Sequence, residues 1–155
     1  VLPADLDAVL AAGGVTVVVQ PALIAERGDH HLANLDADDI AVLHRLASLR
    51  AAGVPLAMGS DAPVTSIDPW AAIRAAVDRT TRSGAFVGRD EALSAADALA
   101  GYLVDPLRPA GPPRRLALGR PADLVLLDRP LAAALVDPRA EHVRHTWVRG
   151  RLVHP

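Results

Sequence analysis

The stretch Val15-Thr16-Val17-Val18-Val19-Gln20, closed by Pro21, constrains the fold of this chain more than any other. Five β-branched residues in a row disfavour a helix, and the absence of polar alternation argues against a sheet with one wet face. The run suits a short strand buried on both faces, as in a parallel sheet covered by helices. A second short apolar run, Val54 to Met58, ends in Gly59-Ser60-Asp61. Helical patterning separates and follows the two runs. Asp36 reads as an N-cap, with Ile40, Leu43, Leu46 and Ala47 along one face and Gly53 as the stop. Asp68-Pro69 opens another helix, expected to run to about Arg82 and to end near Gly84. Strand, helix, strand, helix predicts βαβ units and an α/β fold.

The flanking segments carry weaker signals. Asp5 to Ala12 reads as a short helix ending at Gly13-Gly14, and the polar stretch Glu26 to Asn34 reads as a loop. Ser94 to about Val104 reads as a helix with a capping-box-like start. Asp105 to Arg115 holds four prolines and reads as a loop. Asp123 to Asp128 reads as a strand. Val143 to Val148 alternates and turns at Arg149-Gly150 into Arg151-Leu152-Val153. The organisation expected is an α/β segment, residues 1–104, followed by a Pro-rich loop and β-rich tail, residues 105–155. No internal repeat is visible.

Composition excludes several functions. With 155 residues and 51% apolar content the chain can bury a core. A net charge of -2 gives no electrostatic case for nucleic acid. All 16 basic residues are Arg, which reads as coding bias rather than a binding signal. There is no cysteine, so thiolate chemistry and Cys-ligated zinc are excluded. No apolar stretch approaches the roughly 20 residues that span a bilayer, so no membrane partner is expected. Val1 to Asp5 has no signal-peptide character, and a cytoplasmic location is expected. The start at Val rather than Met suggests an incomplete chain.

Asp61 is the first candidate for chemistry. A carboxylate at the C-terminal end of a barrel strand can ligate a metal or take a proton from water; the structural alternative is a turn residue capping the next element. Gln20 ends the preceding strand in the equivalent place. It can hydrogen-bond a substrate but has no acid–base chemistry, and a plain strand end remains open. His30 and His31, in a loop, are candidates for the substrate side or for a metal, against a simple surface role. His44 lies one position past an apolar stripe and reads as surface, as do His142, His145 and His154. There is no phosphate loop, no Gly-x-Ser-x-Gly elbow and no His-Glu-x-x-His pair.

Three segments in order resemble the amidohydrolase superfamily, and most nearly the branch called amidohydrolase family 3, which includes N-substituted formamide deformylases. They are Gly14 to Pro21, similar to the seventh barrel strand; Met58-Gly59-Ser60-Asp61-Ala62-Pro63-Val64 with Asp68-Pro69, similar to the eighth; and Leu118-Gly119-Arg120-Pro121-Ala122-Asp123 to Asp128 with Thr146 to Val153, similar to the return to a small β-sandwich. The resemblance implies the last two strand–helix units of a TIM (β/α)8 barrel, followed by a small β-sandwich tail. It implies hydrolysis of an amide-like C–N bond other than a peptide bond in a small-molecule substrate. Asp61 would touch a divalent metal, expected to be zinc, take a proton from the metal-activated water and pass it to the leaving nitrogen. Asp123 matches a structural position. The histidine-bearing strands of the family are missing here, and Tyr102-Leu103 stands where the family has Tyr-Thr. The expectation is a fragment, inactive alone, that needs its missing N-terminal half or a homo-oligomer. The alternative is a non-catalytic α/β module that self-associates, or binds a partner, through open sheet edges.

Overall fold

A computed structural model describes residues 6–154. The first helix, α1 (Leu6–Ala12), matches the expected one, whose start at Asp5 lies outside the described residues. It is tied down by Asp7, whose carboxylate is gripped by both terminal nitrogens of Arg45. Strand β1 (Val17–Val19) then pairs in parallel with β2 (Leu56–Met58), with Val17 opposite Leu56 and Val19 opposite Met58. Among the described residues this sheet has two strands. The expectation of burial on both faces fails for β1. Val18 is 51% exposed, because helices cover one side of the pair and nothing described covers the other.

The segment expected as a loop at Glu26 to Asn34 is instead the body of helix α2 (Ala22–Asn34). Its inward stripe is Pro21, Ile24, Gly28 and His31, spaced three, four and three apart. Pro21, Ile24 and Gly28 are buried. That stripe contains one large apolar residue, so polarity hides a true helical period. The helix expected from Asp36 to Gly53 is broken into α3 (Ala37–Ala41) and α4 (Ala47–Ala51). Asp36 does cap it, accepting from the Asp39 N–H at 2.9 Å. The break comes at His44, which takes a left-handed φ of 54° while Leu46 is drawn into the core at 1% exposure. Burial overrides helix propensity there.

Helix α5 (Pro69–Asp78) starts as expected, with Asp68 accepting from the Trp70 N–H at 2.9 Å. It ends before Arg82 because Arg79 turns into the left-handed region, φ 56°, and buries its guanidinium completely. The Arg79 Nε donates to the carbonyls of Val87 (2.9 Å) and Gly88 (3.0 Å), and Nη1 donates to the carbonyl of His44 (3.0 Å). Helix α6 (Ala95–Tyr102) is capped by Ser94, as the sequence indicates.

The tail forms a three-stranded antiparallel sheet in the order β3 (Leu124–Leu127), β4 (Val143–Val148), β5 (Arg151–His154). Arg149 and Gly150 both have positive φ, the pattern of a two-residue hairpin turn that matches strand twist. Asp123 fastens this turn, accepting from the Arg149 N–H (2.8 Å) and from Arg114 Nη1 (2.9 Å). A short helix, α7 (Leu131–Val136), was not foreseen in the sequence. His142 is buried at 6% exposure, contrary to the surface position expected of it, with Nε2 3.1 Å from the Asp137 carbonyl. Ile24, Leu46, Met58, Trp70, Ile73, Val87 and Leu93 form the central core, and Leu127, Leu135 and Val143 of the tail pack on it.

Candidate functional site

The C-terminal ends of β1 and β2 lie side by side, joined by the Gly59 N–H donating to the Val19 carbonyl at 2.9 Å. Parallel pairing therefore brings Gln20 and the Gly59-Ser60-Asp61 segment to one edge of the fold. Gln20 is half-buried, whereas Asp61 is exposed. The loop that presents Asp61 is closed on itself. The Thr65 hydroxyl, buried at 5% exposure, donates to the Ser60 carbonyl. The Ser60 Oγ accepts from the Ala62 N–H at 3.2 Å, and the Asp61 carbonyl accepts from the Val64 N–H at 2.8 Å. Ser66 is anchored to α2 through its N–H, which donates to Glu26 at 3.0 Å.

Within this frame Asp61 adopts a left-handed φ of 58°. Asp tolerates this region better than most residues, but it is uncommon and is enriched where a side chain must be aimed. Its carboxylate has no hydrogen-bond or ion-pair partner among the described residues. A free, water-facing carboxylate at a strand's C-terminal end is available for proton transfer or ligation. Two residues before it in the chain, the Gly59 carbonyl lies 3.5 Å from the Tyr102 hydroxyl. Burial, with the Asp68 charge behind it, pushes the Tyr102 hydroxyl up to about 12, so it stays a neutral donor. Gly101 lets α6 approach this edge closely: a Cβ there would meet Met58 Cγ at 2.8 Å.

His30 and His31 do not join Gln20 and Asp61. They lie in the last turns of α2, which starts beside Gln20 and runs away from it. At about 1.5 Å per residue they are roughly 12–14 Å further along the helix axis. The His31 ring packs 5.7 Å from that of His44, which is half-buried rather than at the surface. The reason is the break between α3 and α4, which turns His44 inward. Among the described residues no three His, Asp or Glu side chains are gathered as a metal would require. The residues present therefore do not make a metal centre by themselves; Asp61 offers one ligand, and catalytic sites use three or more protein ligands. The sequence reading missed Thr65 and Glu26, which shape the Asp61 loop. A buried Thr in a polar loop carries no local signal.

A family model described as the amidohydrolase family matches residues 3–154. The chain belongs to the amidohydrolase family. Among relatives of this amidohydrolase chain is an N-substituted formamide deformylase of Arthrobacter pascens, 33% identical over 114 residues, covering 71% of this chain and 21% of that protein. Another is the uncharacterized protein 087L of Frog virus 3 (isolate Goorha), 35% identical over 146 residues, covering 86% of this chain and 24% of that protein. Crystal structures of uncharacterized metal-dependent hydrolases from Pyrococcus horikoshii and Pyrococcus furiosus match with TM-scores of 0.57 and 0.54. Each is 25% identical and aligned with 65% of this chain, covering 21% and 20% of the Pyrococcus chains. The chain thus spans a quarter or less of the length of the proteins it matches.

Proposed function

We propose that this chain is the C-terminal portion of a metal-dependent hydrolase that cleaves an amide-like C–N bond in a small molecule. In this reading β1 and β2 are the last two strands of a TIM barrel, residues 1–104 its final strand–helix units, and residues 105–155 part of a small β-sandwich. The observation that carries the reading is Asp61: an unpartnered carboxylate, held at left-handed φ at the C-terminal end of a parallel strand, in a chain of this family. That end of a barrel is where catalytic groups gather.

The role of Asp61 follows from its chemistry. The carboxylate takes a proton from the water that adds to the scissile carbonyl carbon. It returns the proton to the nitrogen as the C–N bond breaks. Gln20, on the neighbouring strand end, offers an amide group to orient the substrate. His30 and His31 lie outside this site. A divalent metal, expected to be zinc, does not fit the donors of this chain alone, so the chain is inactive without the strands that its exposed Val18 face awaits. The N-substituted formamide of the Arthrobacter relative is the first substrate class to try.

The test is metal content and formate release. Purified with excess zinc, the chain alone retains under about a tenth of a metal per molecule and releases no formate from an N-substituted formamide. A longer polypeptide carrying the same segment binds metal and hydrolyses the amide, and Asp61→Asn abolishes hydrolysis there. One tightly held metal per copy of the chain alone, or turnover by it, would overturn the proposal.

A further inference from the structure

At the end of α2 remote from Asp61, unpartnered nitrogens collect in one place. His31 Nδ1, His44 Nε2 and Arg79 Nη2 are all buried without a hydrogen-bond partner. Buried polar groups are usually paired, so three orphans on contacting residues need a reason. The His31 and His44 rings are 5.7 Å apart, and the His44 carbonyl is held by Arg79 Nη1 at 3.0 Å. His44 is also the residue at which the chain breaks between α3 and α4, at φ 54°. The link between those helices is therefore clasped to α2 by a ring contact and to the end of α5 by a guanidinium.

The charge around this clasp is one-sided. The His44 ring faces Arg79 and His31, and His31 in turn faces His30 and Arg27. The carboxylate acting on Arg79 is Glu91. Glu91 is already committed, accepting from the Ser48 N–H at 2.9 Å and from the Ser48 hydroxyl. A proton added to the His44 ring thus meets the buried Arg79 guanidinium, and one added to the His31 ring meets the charges of His30 and Arg27. Burial first, then the Arg79 and His31 charges, pushes His44 down to about 4. His31 is lowered too, by burial and then by His30 and Arg27.

We propose that His31, His44 and Arg79 form an acid-sensitive latch, closed while both rings are neutral, whose protonation frees the α3–α4 link from α2 and α5. The proposal concerns a different end of the fold from Asp61 and stands whether or not Asp61 is catalytic. Well above pH 6.5 His44 is neutral folded and unfolded, so the latch contributes fully. Between 6.5 and about 4 the unfolded chain takes up the proton and the folded chain does not, so stability falls as pH falls.

The experiment is urea unfolding of the full chain at pH 7 and pH 5, beside His44→Asn, since Asn tolerates left-handed φ. From 6.5 and about 4, the folded-to-unfolded ratio of the native chain falls roughly 20-fold between pH 7 and pH 5 through this ring, a loss His44→Asn does not show. Amide exchange at pH 5 should speed up first at residues 42–46, ahead of the β3–β5 ladder. Should His44→Asn fail to fold, the C2 proton of the His44 ring is followed by NMR in the native chain. Titration near 6.5 in the folded state, an equal pH loss in His44→Asn, or uniform exchange across both regions would each overturn the latch.

Discussion

Gly28→Ala sets two effects of known size against each other. Gly28 is in the middle of α2, where Ala is favoured over Gly by about 1 kcal/mol. A Cβ at this position, however, would stand 2.5 Å from Thr81 Cγ2 and 3.2 Å from Val87 Cγ2. Ordinary contact begins at about 3.4 Å, so the overlap with Thr81 is nearly 1 Å. Neither neighbour can swing into solvent, as Thr81 is 6% and Val87 0% exposed. Overpacking of this kind costs about 1–3 kcal/mol. The net expectation is a loss of about 0–2 kcal/mol, centred near 1 kcal/mol, which is a fall in Tm of roughly 2–4 °C for a chain of this length. Thr81→Ser removes the offending methyl but keeps a hydroxyl for Ser83, 3.2 Å from Thr81 Oγ1. In the double variant the clash is relieved, so a double-mutant cycle should return a favourable coupling of about 1–2 kcal/mol. Urea unfolding followed by circular dichroism measures all four proteins. Gly28→Ala alone gaining the full 1 kcal/mol of helix propensity would refute the close approach of α2 to the Thr81–Val87 segment.

Other perturbations separate chemistry from scaffold. Arg79→Met leaves the carbonyls of Val87 and His44 without their donor, while the Gly88 carbonyl keeps the Glu91 N–H at 3.0 Å, and should cost about 3–5 kcal/mol by urea midpoint, with Arg79→Lys recovering less than half. Asp61→Asn touches no intramolecular bond, so unfolding should change by less than about 0.5 kcal/mol, while hydrolysis by a longer polypeptide carrying the segment falls by roughly 100-fold or more. Asp123→Ala removes the acceptor of the Arg149 N–H and the Arg114 ion pair. It should lower stability by about 1 kcal/mol and broaden the amide signals of the β4–β5 turn.

What could be read in advance divides by the range of the forces involved. Local chemistry was legible. The caps at Asp36, Asp68 and Ser94, the turn at Arg149-Gly150 and the two apolar strands follow from residues within a few positions of each other. Asp61 stands out as a candidate because a Gly-Ser-Asp after an apolar run is itself a local pattern. Elements set by distant contacts were not legible. α2 reads as loop because its inward stripe holds one large apolar residue, Ile24, beside Pro21, Gly28 and His31. The α3–α4 break depends on Arg79, 35 positions from His44. Its one sequence trace is that Arg79 continues the buried α5 spacing Ala72, Ala76, three residues on. His142 was misplaced for a similar reason: the short α7 and the turn after it fold over the ring, and no periodicity in Val143 to Val148 announces that.

The two ends of the βα units carry different obligations. At one, Arg79, His44 and Gly88 interlock, and Gly88 sits so near Arg79 Nη2 that a Cβ would come within 2.9 Å. At the other, residues 61–64, 66 and 67 are exposed. For loop grafting this is a usable partition. New sequence inserted between Pro63 and Ser66 displaces little buried surface beyond Thr65. An insertion of the same length at residues 84–88 would pull apart the clamp that closes the α5 end. A library built on this chain can therefore diversify the Asp61 loop without re-optimising the scaffold beneath it.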